Sequence, residues 1–278
     1  MFGLISLTNL DENLSAAIDS PHEVLPLDGV RHVIAVASGK GGVGKSTVSV
    51  NLALAFAEKH GRTGLLDADI YGPNIPQMMG VQGSLAKESS GLIKPIIQHD
   101  VRLISIGFAT GPSDAVIYRG PLVGKMVKSF LRNVAWGELD YLFVDLPPGT
   151  GDAGLTLAQS VKLTGVVVIT TPQDVALSDV RKSIMMFKRL QVPILGIVEN
   201  MSFYLDPNTG EKIYIFGSGG GRKLSDEFGL PFLGEIPLSP SICNGGDSGA
   251  PIFLNSVSGD EIATFRKIGN SVLGRIDN

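Results

Sequence analysis

The sequence predicts a doubly wound α/β fold, a mostly parallel sheet with helices on both faces. Three observations lead there. Apolar runs such as "HVIAVA" and "GVVVIT" are continuous rather than alternating, as in strands buried on both faces. Helical spacing separates several of these runs, the rhythm of parallel strands joined by crossover helices. A glycine-rich turn, "GKGGVGKS", joins the first apolar run to the first helical one, and ligands of such sheets gather beyond the carboxyl ends of the strands.

Residues 1–30 contain Pro21 and Pro26 without clear periodicity and are expected to form a short arm. Residues 31–278 are expected to form one domain, since 278 residues suit one large α/β domain and no internal repeat is visible. Strands are expected at about 32–38, 64–69, 102–107, 141–146, 166–171, 194–199 and 232–236. Helical patterns fall at about 45–60, 121–135, 153–162, 175–190 and 220–228, with a last helix at about 259–276. Residues 72–100 carry Gly, Ser and Pro with little pattern, which predicts a helical turn and a long loop.

The net charge of −4 gives no global reason to expect nucleic acid or an anionic membrane as partner. Mean hydropathy is +0.24, yet the apolar runs are far shorter than the roughly 18 residues of a spanning helix. The N-terminus lacks a basic region and turns acidic at Asp11 and Glu12, a poor secretory signal. A single cysteine, Cys243, precludes an intramolecular disulfide, so a soluble cytoplasmic protein is expected. Cys243 itself reads as a small buried apolar residue. The histidines are scattered without metal-ligand spacing. The apolar stripe of the last helix is flanked by mixed charges and reads as a packing face rather than a membrane-surface one. The basic residues Arg181, Lys182, Lys188 and Arg189 read as a solvated helix face.

"GKGGVGKS" matches G-x-x-x-x-G-K-[ST] in full, with Gly39, Gly44, Lys45 and Ser46 in the fixed places. Gly39, Lys40, Gly41, Gly42, Val43, Gly44, Lys45, Ser46 and Thr47 are therefore the expected nucleotide-binding loop. Inward-turned amides and a helix N-terminus would cradle phosphate oxygens. Lys45 would neutralise the β- and γ-phosphates of ATP, and the Ser46 hydroxyl would hold Mg²⁺. Asp145, ending the apolar run of "YLFVDLPPGTGD", is expected to contact Mg²⁺ through water, with the following loop sensing the γ-phosphate. In "GLLDADIYGPN", Asp67 and Asp69 alternate, so both point along one side of a strand end. Asp69 is assigned to the attacking water and Asp67 to the neighbourhood of the metal, with the reverse assignment left open.

These motifs resemble the deviant Walker A class of P-loop NTPases, the SIMIBI-type ATPases that include the nitrogenase iron protein, the arsenite-pump ATPase and MinD/ParA. The mark of that class is a lysine directly after the first glycine of the loop, here Lys40. The resemblance implies that Lys40 reaches the ATP of a second subunit, so that ATP is sandwiched in a homodimer. An added cation there would stabilise charge built up in phosphoryl transfer. Within the class, "DADIYGPNIPQMMG", "YRGPLVGKMVKSFL", "TTPQDVALSDVRKSI" and "GIVENMSF" are similar to the Mrp/ApbC family, from about residue 30 to the C-terminus. That similarity implies an ATPase that transfers iron–sulfur clusters to apoprotein clients. By the same resemblance Asn200 would read the adenine edge and Pro237 would pack near the base.

One feature departs from the family. After "ENMS" the family carries C-P-x-C, one pair per subunit holding a [4Fe–4S] cluster; here Asp206 and Thr209 flank Pro207 instead. Four thiolates are the usual requirement, and two copies of this chain bring two. Two functions stay open: a cluster carrier that holds its cargo in another way or with a partner, and a cluster-free, ATP-dependent dimerisation switch acting on a protein partner.

Overall fold

The computed structural model describes residues 24–108, 120–149, 152–254 and 259–277. Residues 1–23 of the expected arm, and Thr150 and Gly151 of the loop after Asp145, lie outside them. In chain order the strands are β1 (Val30–Ser38), β2 (Thr63–Asp67), β3 (Ala86–Lys87), β4 (Ile93–Lys94), β5 (Ile96–Gln98), β6 (Val101–Ser105), β7 (Leu139–Asp145), β8 (Gly165–Thr170), β9 (Ile194–Glu199), β10 (Tyr204–Leu205), β11 (Lys212–Ile213) and β12 (Phe232–Glu235). The α-helices are α1 (Lys45–Lys59), α2 (Ile75–Met78), α3 (Gly120–Arg132), α4 (Asp152–Ser160), α5 (Asp174–Arg189), α6 (Gly220–Phe228), α7 (Pro240–Asp247) and α8 (Asp260–Ile276).

Eight strands make one sheet in the order β12-β9-β8-β1-β7-β2-β6-β5. Every pairing in it is parallel except β5 with β6. Alternation along β1 divides the core in two. Val33, Ala35 and Ala37 face a layer built from α3, α4, α5 and α6. Ile34 and Val36 face α1 and α8, with Ile75 and Ile242 at the margin. The doubly wound expectation therefore holds. The apolar stripe of α8 lies in this second layer, where Ile262, Phe265, Ile268 and Val272 are buried. No helix among the described residues is long and apolar enough to cross a membrane.

Several short elements differ from the expectation. The β3–β4 and β10–β11 ladders form, β5 returns antiparallel along β6, and α7 forms from "PSICNGGD" despite two glycines and a proline. Pro240 takes a helix-start position and the Ser239 hydroxyl caps the turn by accepting from Ser241 N–H, so end signals outweigh poor propensity. The helical turn expected within 72–100 is α2, and the remainder of that stretch includes the β3–β4 ladder.

The parallel sheet sends its strand ends to one side. Ser38, Asp67, Ser105, Asp145, Thr170 and Glu199 terminate β1, β2, β6, β7, β8 and β9, and all are fully buried polar residues. This row is the floor on which the site is built.

α1 is enclosed by the sheet and α8. Its Phe56 meets Tyr141 and Phe143 edge-on, with ring centroids 4.8 and 5.0 Å apart. Phe56→Ala should lower stability by about 3–5 kcal/mol, read as a reduced midpoint with unchanged slope in urea unfolding.

Candidate phosphate-binding site

The turn between β1 and α1 is fixed by its neighbours. Gly44 caps α1 in the left-handed region at φ 78°, and a Cβ there would lie 2.2 Å from Asn200 Nδ2. A Cβ on Gly39 would lie 2.3 Å from the backbone nitrogen of Val180 in α5. The loop is thus wedged between the tip of β9 and α5. Asn200 donates from Nδ2 to the Val43 carbonyl at 2.8 Å and clamps the turn.

Beneath the loop, Asp145 collects three donors. Lys45 Nζ and Ser46 Oγ each donate to its Oδ2 at 2.7 Å, and Ser49 Oγ donates to Oδ1 at 2.6 Å. Lys45 is 6% exposed and Asp145 is wholly enclosed. Lys45 Nζ also stands 3.8 Å from Asp69 Oδ2.

Asp67 and Asp145 are register partners on adjacent strands, two carboxylates placed side by side. Asp67 Oδ2 accepts from Ser105 Oγ at 2.8 Å and Oδ1 accepts from the Asp69 amide at 3.2 Å. Burial, and then the charge of Asp145, pushes the Asp67 carboxyl up to about 8. Asp69 lies higher, lining the cavity; burial raises its pKa and Lys45 opposes the shift. Its Oδ1 is buried without a hydrogen-bond partner among the described residues.

A cavity of about 380 Å³ opens over these groups. Ser38, Lys40, Gly41, Gly42, Gly44, Lys45, Ser46 and Thr47 form one side; Asp69, Asn74, Gln77, Met78, Pro148, Gly246 and Asp247 complete the wall. The structure therefore gathers Lys40, Lys45, Ser46, Thr47 and Asp69 at one cavity, with Asp145 and Asp67 in the layer below. Asn200 and Pro237 are outside that lining, Asn200 behind the loop and Pro237 half-buried in the segment before α7.

Cys243 departs from its expected burial: α7 turns it outward, with Sγ 3.8 Å from Asp247 Oδ2. Ser49, Ser105 and the wall from α2 and α7 were not legible beforehand. Ser49 carried a signal, lying one helical turn after Lys45 and so on the same face. Asn74, Gln77 and Asp247 fall in segments without a pattern and carried none.

Fold and site together define a P-loop nucleotide-binding protein: a parallel sheet, a glycine turn at a helix N-terminus, and a buried lysine against a strand-end aspartate. The ParA profile described as NUBPL iron-transfer P-loop NTPase matches residues 29–273, and the chain belongs to that family. An iron-sulfur cluster carrier protein of Synechocystis sp. is 45% identical over 252 residues, 89% of this chain and 71% of that protein. The iron-sulfur cluster transfer protein NUBPL of Mus musculus is 43% identical over 253 residues, 90% of this chain and 79% of that one. A solved nucleotide-binding protein of Archaeoglobus fulgidus in complex with ADP has 38% identity and a TM-score of 0.73, covering 90% of this chain and 94% of its own.

The state of Asp67 gives a pH test. Between its ordinary value of 3.8 and about 8, the folded chain keeps a proton that the unfolded chain has released. Stability from this group is complete below the lower value, falls as pH rises through the window and levels above the upper one. Asp67→Asn, a mimic of the neutral form, should gain on the natural protein in thermal midpoint from pH 5 to pH 8. Parallel pH profiles of the two proteins without nucleotide would contradict the assignment.

Proposed function

We propose that the chain is a homodimeric, ATP-hydrolysing carrier of iron–sulfur clusters that works in the cytoplasm. Membership of the iron-transfer family supports the cargo, and the contact of Lys45 and Ser46 with Asp145 at the N-terminus of α1, beneath a cavity rimmed by Lys40, supports the nucleotide chemistry. The amides of Gly39 to Thr47 and the Lys45 ammonium bind the phosphates. The all-oxygen donor set of Ser46 and Asp145 suits magnesium, which would supply Lewis-acid charge to the phosphate oxygens. Ser46 would hold that ion through its hydroxyl, and Asp145, which already accepts from that hydroxyl, would orient it. Asp69, with an unpartnered Oδ1 and a carboxyl made more basic by burial, orients the water that attacks the γ-phosphorus. Water adds as the bond to the bridging oxygen of ADP breaks, and phosphate leaves. Lys40 has no ion pair among the described residues and acts on the ATP of the partner subunit. Asn200 and Pro237, which stand outside the cavity lining, are assigned to the adenine side by family resemblance alone.

Lys45→Ala should abolish nucleotide binding in a calorimetric titration. Lys40→Ala should bind ATP nearly as well while losing about 10³-fold in turnover, the scale of a removed transition-state cation. Unchanged turnover in that variant would remove Lys40 from the mechanism.

The cluster is cargo, and the residues of this chain do not fit a four-thiolate holder. Asp206 Oδ1 is spent on the amides of Asn208 and Thr209, and Thr209 Oγ1 on that of Glu211, a self-tied turn between β10 and β11. Cys243 stands apart on α7. The thiolates of a cluster would therefore come largely from a partner or client. This turn also favours the second reading, a cluster-free switch. Protein reconstituted without oxygen should hold iron and acid-labile sulfide only when an apoprotein client is present. Absence of both even then leaves the switch as the function.

A further inference from the structure

Four members of the buried strand-end row, Ser38, Asp67, Ser105 and Asp145, belong to the phosphate cavity or the layer directly below it. Glu199 belongs to neither, although its carboxyl is fully enclosed. Its Oε1 accepts from Ser202 Oγ at 2.6 Å, and its Oε2 accepts from the Gly221 amide at 2.5 Å in the first turn of α6. Burying a carboxyl is costly, and an apolar side chain of the same size would fill the space at lower cost. What the carboxyl adds is a tie between three segments: the end of β9, the approach to the β10–β11 hairpin, and the N-terminus of α6. The fit at α6 is close, since a Cβ on Gly221 would lie 2.9 Å from the Glu199 Cβ.

The next residue faces the other way. Asn200 holds the Val43 carbonyl of the phosphate loop, and the methyl of Met201 stands 3.5 Å from where a Gly44 Cβ would be. Met201 has φ 54°, a region that non-glycine residues seldom adopt. That bend returns Ser202 to the carboxyl of Glu199. Backbone bonds pin the same tip on both flanks: Asn200 N–H to the Thr170 carbonyl at 2.8 Å, Ile236 N–H to the Glu199 carbonyl at 2.8 Å, and Ser202 N–H to the Ile236 carbonyl at 2.9 Å. A tip held this firmly moves as one piece.

We propose that Glu199 is a positioning residue which, through Asn200, couples the phosphate loop to the β10–β11 hairpin and to α6. Nucleotide that draws the Gly44 amide toward a phosphate turns the Val43 carbonyl of the same peptide, and Asn200, bonded to that carbonyl, carries the turn to the β9 tip; the carboxyl of Glu199 passes it to Ser202 on one side and Gly221 on the other. The inference rests on the reading of the loop as a nucleotide site. It supplies a route by which that site controls the segment carrying Asp206 and Thr209.

The test is amide hydrogen exchange of the full chain with and without a non-hydrolysable ATP analogue and magnesium, beside a calorimetric titration of the same analogue. In the natural protein the analogue should slow exchange in 204–213 and in the first turn of α6 by about tenfold, within the usual range of couplings between sites. Glu199→Met, which keeps length but removes both acceptors, should bind the analogue with similar affinity and lose the response in both segments. Glu199→Gln should restore it, because its oxygen can accept from Gly221 while its amide donates to Ser202 Oγ. A purely structural role would instead raise exchange equally with and without the analogue. Should Glu199→Met not fold, Ser202→Ala should lose the hairpin response and keep that of α6. Persistence of the hairpin response in Glu199→Met or in Ser202→Ala overturns the coupling, as does a natural protein that binds the analogue with both segments unchanged. A natural protein that shows no binding heat and no change in exchange overturns the nucleotide reading along with it.

Discussion

Lys45 and Asp145 meet 2.7 Å apart beneath the phosphate loop, with almost no water on either. Removing one partner from such a pair leaves a buried charge without compensation, a loss of about 3–5 kcal/mol. Its surroundings make the pair sustainable: Ser46 and Ser49 supply further donors to Asp145, so both carboxylate oxygens are occupied. The start of α1 is thereby fastened to the end of β7, and the glycine turn between β1 and α1 has fixed anchors on either side. On the proposed nucleotide reading, a phosphate arriving at Lys45 would enter a frame whose charges are already balanced, which limits reorganisation when the ammonium shares itself with a second anion.

Parallel topology explains why so much polarity is buried in one place. All the strands from β12 to β6 run the same way, so their last residues share one edge, where the sheet ladder ends and side chains must find other partners. Along that edge the chain places hydroxyls between carboxyls: Ser105 bonds Asp67, and Ser46 and Ser49 bond Asp145. Asp67 and Asp145 still stand as neighbouring acids, and the protonation of Asp67 relieves their repulsion. One site thus contains a carboxyl held neutral and another held in an ion pair, with burial and neighbours making the difference.

The fold was legible in the sequence wherever burial dictates pattern. Continuous Val, Ile and Leu runs marked the parallel strands, and the stripe of Ile262, Phe265, Ile268 and Val272 marked a helix with one buried face. The loop motif located Lys45 and Ser46, and strand-end position located Asp145 and Asp67. The rest depends on contacts far apart in the chain. α7 is stabilised by its cap and by Ile242 against the core, so its glycines concealed it. β5 needs only three residues paired with β6, too few for a periodicity. Burial of cysteine is a tendency of the residue type, while the exposure of Cys243 is set by the face of α7, a helix without a sequence pattern. Glu199 ends the apolar run of β9, and its partners Ser202 and Gly221 lie beyond a bend and a hairpin, where no local pattern points to them.

The closeness of Gly39 to α5 bears on how far Lys40 can travel. With its preceding residue wedged against Asp179 and Val180, the backbone at Lys40 is grounded on a 16-residue rod, and the Ser38 hydroxyl holds its carbonyl at 3.0 Å. The outer lysine therefore resembles a short tether on a rigid post: its span is that of its own methylenes, and little chain disorder is surrendered when it takes a fixed position. Any tilt of α5 would be carried directly to that ammonium, so the helix behind the loop sets how far the lysine stands out from it.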